Sequence, residues 1–76
     1  MEINEFITNF KEQFDDPEAV ELNADSNFRD NGEWNSLTGL MTIAMADEIY
    51  GVTLTPNELR SAETVQDLYE MIKSKK

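Results

Sequence analysis

The sequence predicts a small all-α domain: a four-helix bundle with three main helices, one short third helix, and a long loop between the first and second helices. Apolar residues recur at spacings of three and four in three segments, and serine or threonine stands where the second, third and fourth helices are expected to begin. No segment alternates apolar and polar residues as a strand does, and no repeat is present. With 76 residues there is room for one core, so residues 1–76 are expected to form a single domain.

The first helix is predicted from Ile3 to Phe14, where the apolar residues share one face. That face consists of Ile3, Phe6, Ile7, Phe10 and Phe14. An aromatic stripe with this spacing is typical of a core face rather than a ligand site. The sequence Asp15-Asp16-Pro17 is expected to end the helix, because the residue before a proline is pushed away from helical geometry.

A long, acidic connection follows, from about residue 17 to residue 35. A loop of this length is expected to contain a short helical turn or to serve function, and residues 25–30 are the predicted turn. Asn31-Gly32 predicts a tight turn, since both residue types tolerate positive φ. Trp34 is interpreted as a partly buried anchor for that turn. Three isolated apolar residues are expected to pin the loop to the core: Val20, Leu22 and Phe28.

The second helix is predicted from Ser36 to Tyr50, with Gly51 in the left-handed position that ends it. Its apolar residues cover more than one face. One stripe contains Ile43, Ala46, Ile49 and Tyr50, and an offset stripe contains Leu37, Leu40, Met41 and Ala44. So small a domain is expected to leave one stripe partly exposed, and the second stripe would then be a docking surface. The alternative is a central helix packed on both sides.

Two further helices are predicted from their capping residues. Thr55 caps a helix of one or two turns, with Pro56 in the first position and Glu58 completing a capping box. Thr64 caps the fourth helix, with Asp67 as its partner. The core stripe of this last helix consists of Val65, Leu68, Tyr69 and Ile72.

Composition excludes several classes of function. The chain has no cysteine and no histidine, so thiolate metal sites, disulfides and histidine-mediated proton transfer are ruled out, and no metal is expected. The net charge of −10 predicts repulsion of nucleic acid and anionic membranes and attraction to basic protein surfaces, although solubility alone also explains it. No apolar run approaches the roughly 20 residues that span a membrane, and no secretory signal is visible, so a cytoplasmic protein is expected.

Ser36 is the candidate for a modified residue. A serine hydroxyl at the start of a helix is held by a rigid element, close to unpaired backbone N–H groups that favour an attached phosphate. Serine is also among the commonest N-cap residues, and the local pattern taken alone favours ordinary capping by Ser36.

The chain as a whole resembles the acyl carrier protein family over essentially its full length. The attachment motif of that family, usually Asp-Ser-Leu at the start of the second helix, stands here as Asn35-Ser36-Leu37. The loop residue Phe28, the run Asp47-Glu48-Ile49-Tyr50-Gly51-Val52 and the late Thr64-Val65-Gln66-Asp67-Leu68 are similar to the family pattern in order and spacing.

The resemblance implies that a carrier protein synthase, a phosphopantetheinyl transferase, attaches phosphopantetheine from coenzyme A to Ser36, flanked by Asn35 and Leu37. The arm would carry acyl groups as thioesters and deliver them to acyl-processing enzymes that have basic docking surfaces, in fatty acid, polyketide or related biosynthesis. The carrier itself would be a monomer and not an enzyme. The resemblance also assigns partner contacts to the second helix, namely Leu37, Leu40, Met41, Ala44, Asp47 and Glu48. Glu33 would oppose the added phosphate modestly.

Asn35 departs from the aspartate that most members carry. Without that negative charge, binding to a synthase that recognises the aspartate with a basic residue would weaken by about 1 kcal/mol, the value of a partly exposed ion pair. Gly39 is expected to ease close approach by a partner. Asn35 also motivates an alternative, an acidic helical module that binds partners non-covalently and carries no prosthetic group. A hydrolase using Ser36 is disfavoured, because no histidine or cysteine is present to activate a bare serine.

Overall fold

The computed structural model describes residues 2–76, and their regular structure is helical. The four α-helices are Ile3–Lys11 (α1), Ser36–Tyr50 (α2), Pro56–Ser61 (α3) and Val65–Lys75 (α4). Two 3₁₀ turns, Pro17–Ala19 and Phe28–Asp30, lie in the connection between α1 and α2. Within residues 2–76 there is no strand, and Asn27 and Thr64 form a lone bridge. The predicted all-α class with four helices is confirmed, and α1 packs on both α2 and α4, while α3 packs on α2.

The core is built around phenylalanine side chains from α1 and the long loop. Phe6 and Phe10 are completely buried, and the Phe10 ring lies 5.4 Å from the ring of Phe28 and 5.4 Å from that of Phe14. Val20 is also fully buried and Leu22 is half-buried, so the predicted loop anchors are confirmed. The predicted stripe of α4 is buried along its whole length. The loop therefore forms one wall of the core.

Helix α1 ends three residues earlier than predicted, at Lys11 instead of Phe14. The side chain of Gln13 explains this, because its Nε2 donates to the carbonyl of Asn9 at 2.9 Å, the group that the Gln13 N–H would take in a continuing helix. The Gln13 N–H donates instead to Phe10, at 3.0 Å, and the chain tightens into a turn. Phe14 still reaches the core, where it is 3% exposed.

The loop contains the expected turn and a second one. Phe28–Asp30 lies within predicted residues 25–30, and the Oδ1 of Asn27 caps it by accepting from the N–H of Arg29 at 3.1 Å. The turn at Pro17–Ala19 was not predicted, because Asp15-Asp16-Pro17 was interpreted only as the end of the first helix. Proline at the first position is the signal that marks it.

The chain turns at Asn31-Gly32 as predicted, but the reason given was wrong. Neither residue has a positive φ, since Gly51 is the only residue within the described range 2–76 that does. The Asn31 side chain closes the turn instead, accepting from the N–H of Glu33 at 2.9 Å, while the Asn31 carbonyl accepts from Trp34 at 3.0 Å. An asparagine side chain that imitates a backbone turn removes the need for left-handed backbone.

Arg29 ties the long loop to the end of α3. Its guanidinium donates to the carbonyls of Leu59, Arg60 and Ala62. The last turn of a helix leaves carbonyls without intrahelical partners, and here only that of Leu59 also accepts a backbone N–H, from Ala62 at 3.3 Å. Just beyond, the N–H of Val65 donates to the carbonyl of Ser26 at 3.0 Å. The loop thus satisfies both the end of α3 and the start of α4.

The predicted end of α2 at Gly51 and the predicted capping boxes of α3 and α4 are confirmed. Gly51 lies in the left-handed region with φ 66°, and its N–H donates to carbonyls of the last turn of α2. Thr55 and Glu58 form the capping box of α3, and Thr64 and Asp67 form that of α4. Each box satisfies backbone N–H groups that the helix itself cannot.

Candidate functional site

Asn35, and not Ser36, is the N-cap of α2. Asn35 has extended backbone, and its Oδ1 accepts from the N–H of Thr38 at 3.0 Å. The interpretation of Ser36 as an ordinary cap is wrong, because the asparagine one residue earlier already reaches the third N–H of the helix. Ser36 is the first helical residue and is exposed. Its hydroxyl makes no hydrogen bond within residues 2–76.

The start of α2 presents Ser36 with free backbone donors nearby. The N–H of Thr38 is taken by Asn35, and that of Gly39 donates to the Asn35 carbonyl at 3.0 Å. The N–H groups of Ser36 and Leu37 have no acceptor among the described residues, and the first turn contains no acidic side chain. Such donors, together with the helix dipole, favour a negative group at this end.

Glu33 was expected to oppose a phosphate on Ser36, but its carboxylate has a structural partner. Oε1 of Glu33 accepts from the backbone N–H of Asp16 at 2.9 Å, which joins the two ends of the long loop. The Glu33 carbonyl accepts from the hydroxyl of Thr38 at 3.2 Å and, weakly, from the side-chain amide of Asn35 at 3.4 Å. Glu33 therefore helps to fix the loop just before Ser36.

One face of α2 is apolar and exposed, as the two-stripe prediction requires. Leu37 is 60% exposed, Leu40 62% and Met41 41%, and Ala44, Asp47 and Glu48 are exposed as well. The buried side of the helix consists of Thr38, Gly39, Thr42, Met45 and Ala46. These small and flexible side chains let α2 pack closely, while the larger leucines remain outside. The exposed face begins one residue after Ser36.

Ile49 was assigned to the buried stripe, and this assignment is wrong. Ile49 lies one turn beyond Met45, at the end of α2, and half of its side chain is exposed. It borders a notch of about 240 Å³ that also includes Gln13, Met41, Ala44, Met45 and Glu48. The exposed apolar face thus runs along the whole helix and ends in a depression.

A larger open groove lies between α2 and α3, beside Ser36, with a volume of about 520 Å³. It is lined by Arg29, Trp34, Asn35, Ser36, Gly39, Leu40, Ile43, Pro56, Leu59 and Arg60. Gly39 is buried here, and a Cβ on it would lie 3.5 Å from Leu59 and 3.7 Å from Trp34. Gly39 therefore widens the groove and lies off the exposed apolar face, in contrast to the expected role in partner approach.

The shifted carboxyl groups lie at the starts of α3 and α4. The Lys75 ammonium, with the backbone N–H of Thr55, lowers the pKa of Glu58, and Lys75 Nζ lies 2.6 Å from Glu58 Oε2. The backbone N–H groups of Thr64 and Glu63 lower the pKa of Asp67. Both carboxylates belong to capping boxes, so these shifts reflect helix stabilisation and not chemistry at Ser36.

Comparison with known proteins gives no relative. Neither a protein-family model, nor a curated protein, nor a solved structure matches the chain. Among residues 2–76 no group of three or more acidic side chains is placed to hold a metal ion. The helices of this part of the chain are all too short or too polar to cross a membrane. Ser36, the exposed apolar face of α2 and the groove between α2 and α3 are therefore the features of the molecule that bear on its function.

Proposed function

We propose that this protein is an acyl carrier that holds acyl groups as thioesters on a phosphopantetheine arm attached to Ser36. The observation that carries the proposal is the Ser36 hydroxyl, which is exposed, fixed at the start of a helix and free of any hydrogen bond within residues 2–76. Asn35 performs the capping, so modification of Ser36 costs the helix no contact. The order of the four helices, with a short third one, also agrees with the resemblance to the acyl carrier protein family.

A transferase would form the attachment by joining Ser36 Oγ to the phosphorus next to the pantetheine of coenzyme A. The hydroxyl proton goes to a base of the transferase, and the nucleotide half of the pyrophosphate leaves. The residues present fit the product, because the unpaired N–H groups of Ser36 and Leu37 favour a phosphodiester beside them. The arm then supplies the thiol that a chain without cysteine lacks.

The protein's own part is presentation and recognition, since it contains no histidine or cysteine for catalysis. The exposed apolar face of α2 would contact partner enzymes through Leu37, Leu40, Met41 and Ala44, with Asp47 and Glu48 meeting their basic residues. Apolar contact supplies affinity and the charges supply orientation and rate. Partners would be the synthase and enzymes of fatty acid, polyketide or related biosynthesis, met by a monomeric carrier in the cytoplasm.

Intact-mass measurement tests the attachment. Incubation with coenzyme A and a broad-specificity phosphopantetheinyl transferase should add one arm to the protein and none to Ser36→Ala. Ser74→Ala is the matched control, because Ser74 is also an exposed helical serine, and it should be modified fully. An unmodified wild type, or equal modification of Ser36→Ala, would overturn the proposal.

A second candidate is an acidic module that binds basic partners without an arm, and the uncharged Asn35 beside Ser36 favours it. The two candidates differ in one result. A partner captured by the unmodified protein should bind Ser36→Ala as well as wild type if no arm is used. Loss of the functional interaction in Ser36→Ala supports the carrier instead.

A further inference from the structure

The turn Asn31-Gly32 has no role in the proposed attachment at Ser36, but it joins two groups that can react with each other. Asparagine is among the thermolabile residues of proteins, because the backbone nitrogen of the next residue can attack its side-chain amide. A side chain on that next residue hinders the attack, and Asn31 is the only asparagine in the sequence that is followed by glycine. The least hindered pair of this kind therefore lies in the loop just before α2.

The structure leaves the attacking atom and the leaving group of this pair unprotected. Gly32 is exposed, and a Cβ built on it would meet nothing within 4 Å. The N–H of Gly32 has no acceptor within residues 2–76, and the Nδ2 of Asn31 makes no hydrogen bond there either. Asn35 differs on both counts, because Ser36 follows it and its Nδ2 donates to the Glu33 carbonyl at 3.4 Å.

We propose that Asn31 is a self-modification site, which loses its side-chain amide spontaneously and becomes isoaspartate or aspartate at a rate set by opening of the turn. The Gly32 nitrogen gives its proton to hydroxide and bonds to Cγ of Asn31. The Cγ–Nδ2 bond breaks, and the nitrogen takes a proton from water and leaves as ammonia. Water then opens the resulting succinimide at either carbonyl, so the net change consumes one water and releases one ammonia.

The turn limits the rate because it holds the reacting atoms out of line. Asn31 has extended backbone with ψ 131°, and attack requires rotation about its Cα–C bond to bring the Gly32 nitrogen toward Cγ. That rotation breaks two contacts of Asn31, the 2.9 Å bond from the Glu33 N–H to Oδ1 and the 3.0 Å bond from the Trp34 N–H to the carbonyl. The reaction therefore follows local opening of the turn.

The isoaspartyl product cannot rebuild the turn. Opening of the succinimide on the main-chain side adds a methylene to the backbone and leaves a carboxylate directly on Cα. The Glu33 and Trp34 N–H groups then lose the acceptors that Asn31 presents. Glu33 also joins the loop to the Asp16 N–H at 2.9 Å, so the change loosens the loop immediately before α2. The aspartyl product keeps the backbone and an acceptor oxygen, and closes the turn as asparagine does.

Peptide mass mapping of the intact protein, incubated for weeks at mildly alkaline pH, tests the site. The mass gain of amide hydrolysis should appear at Asn31 and not at Asn35, and an isoaspartyl methyltransferase should label the same peptide. Gly32→Ala should slow the reaction about tenfold or more, because the methyl group crowds the attacking nitrogen. Alanine fits there, since φ is not positive at Gly32 and the space is open.

Two comparisons test the control by the turn. The protein unfolded in urea should react about tenfold or more faster than the folded protein, because the two hydrogen bonds no longer have to be broken. Glu33→Ala should speed the reaction of the folded protein about two- to tenfold, the effect of losing the hydrogen bond to Asp16. Glu21→Ala is the matched control, since it removes an exposed carboxylate of the same loop that has no hydrogen bond within residues 2–76, and its rate should equal that of wild type.

Amide hydrogen exchange measures the effect of the product on the loop. The isoaspartyl form should lose protection at the N–H groups of Glu33 and Trp34, whereas Asn31→Asp, which carries the charge on a normal backbone, should retain it. Circular dichroism verifies that each variant is folded.

Several results would overturn the inference. A folded protein that keeps Asn31 intact while the unfolded chain reacts to completion would show that the turn does not open. Equal rates in the folded and unfolded protein, or an unchanged rate in Gly32→Ala, would show that neither the turn nor the glycine governs the reaction. Attachment at Ser36 is not required for any of these measurements, so the carrier proposal stands or falls separately.

Discussion

Replacement of Asn35 by alanine should destabilise the protein, whereas replacement of Ser36 should not. Asn35→Ala removes the oxygen that accepts from the N–H of Thr38 at 3.0 Å. Thr38 is only 2% exposed, so water cannot easily replace that acceptor. Loss of an N-cap costs about 0.5–2 kcal/mol, and a buried donor left unpaired moves the value to the upper half of that range. We therefore expect Asn35→Ala to lower the free energy of unfolding by about 1–2 kcal/mol.

Ser36→Ala should change the free energy of unfolding by less than about 0.5 kcal/mol, because the exposed hydroxyl has no partner within residues 2–76. Asn35→Asp is the control that retains the acceptor. It forfeits the long contact of 3.4 Å to the Glu33 carbonyl but adds a negative charge at the start of the helix, worth about 0.3–1 kcal/mol. Asn35→Asp should therefore be at least as stable as wild type.

Urea denaturation followed by far-ultraviolet circular dichroism measures all three variants, and thermal melts check the order. A loss of 1 kcal/mol corresponds to about 4–8 °C in a domain of this size. Equal losses in Asn35→Ala and Ser36→Ala would show that serine shares the capping and would refute the reasoning. A loss in Asn35→Asp as large as that in Asn35→Ala would show that the side-chain oxygen is not the cause.

Further changes test other parts of the molecule. Gly51→Ala should lower the free energy of unfolding by about 1–2 kcal/mol, because φ is 66° there, and an unchanged urea midpoint would contradict this. Gly39→Ala should raise the free energy of unfolding by about 0.5–1 kcal/mol, because alanine lowers the entropy of the unfolded chain and the added Cβ would lie at an ordinary contact distance of 3.5 Å from Leu59. A lower urea midpoint would show that the groove does not accommodate the added methyl group. The pKa of Glu58 is lower in the folded protein than in the unfolded chain, so the ionised carboxylate stabilises the fold at pH values above the unfolded-chain pKa of about 4. This stability is lost as the pH falls through the folded-state pKa, and Glu58→Gln should therefore show a smaller drop in urea midpoint on acidification. Leu40→Ala should leave stability within about 0.5 kcal/mol but weaken binding to a modifying transferase, measured by titration, because the side chain is 62% exposed on the proposed docking face.

Much of the fold follows from local rules that one sequence carries. The capping pairs Thr55 with Glu58 and Thr64 with Asp67 were predicted because both partners lie within one turn of each other. The bounds of α2 were also predicted correctly, with Gly51 at its end. Such signals need no knowledge of the rest of the chain, which is why they are reliable.

The errors arose where one side chain competes with the backbone or where neighbours decide burial. Gln13 takes the carbonyl that would extend α1, and Asn31 closes its own turn without left-handed backbone. Ile49 has the right periodicity for burial but lies at a helix end, where the packing stops. The cap at Asn35 was missed because serine and asparagine are both good caps, and only the backbone geometry decides between neighbours.

The groove and its arginines were not predicted at all. Arg29 and Arg60 are separated by 31 positions, and no local pattern indicates that a loop residue and a helix residue border the same cavity. Their scarcity in an acidic chain was the available signal. Arg29 and Arg60 are the only basic residues between Lys11 and Lys73, and the structure shows that they line the same groove.

Trp34 provides an intrinsic fluorescence probe of both the fold and the groove. It is the only tryptophan, its ring lies 4.9 Å from that of Phe28 and 6.0 Å from that of Phe14, and it also lines the groove beside Ser36. The fluorescence of Trp34 should therefore change both when the long loop packs on the core and when a ligand occupies the groove next to α2. A spectral change on modification, without any change in far-ultraviolet signal, would follow groove occupancy in real time and without a label.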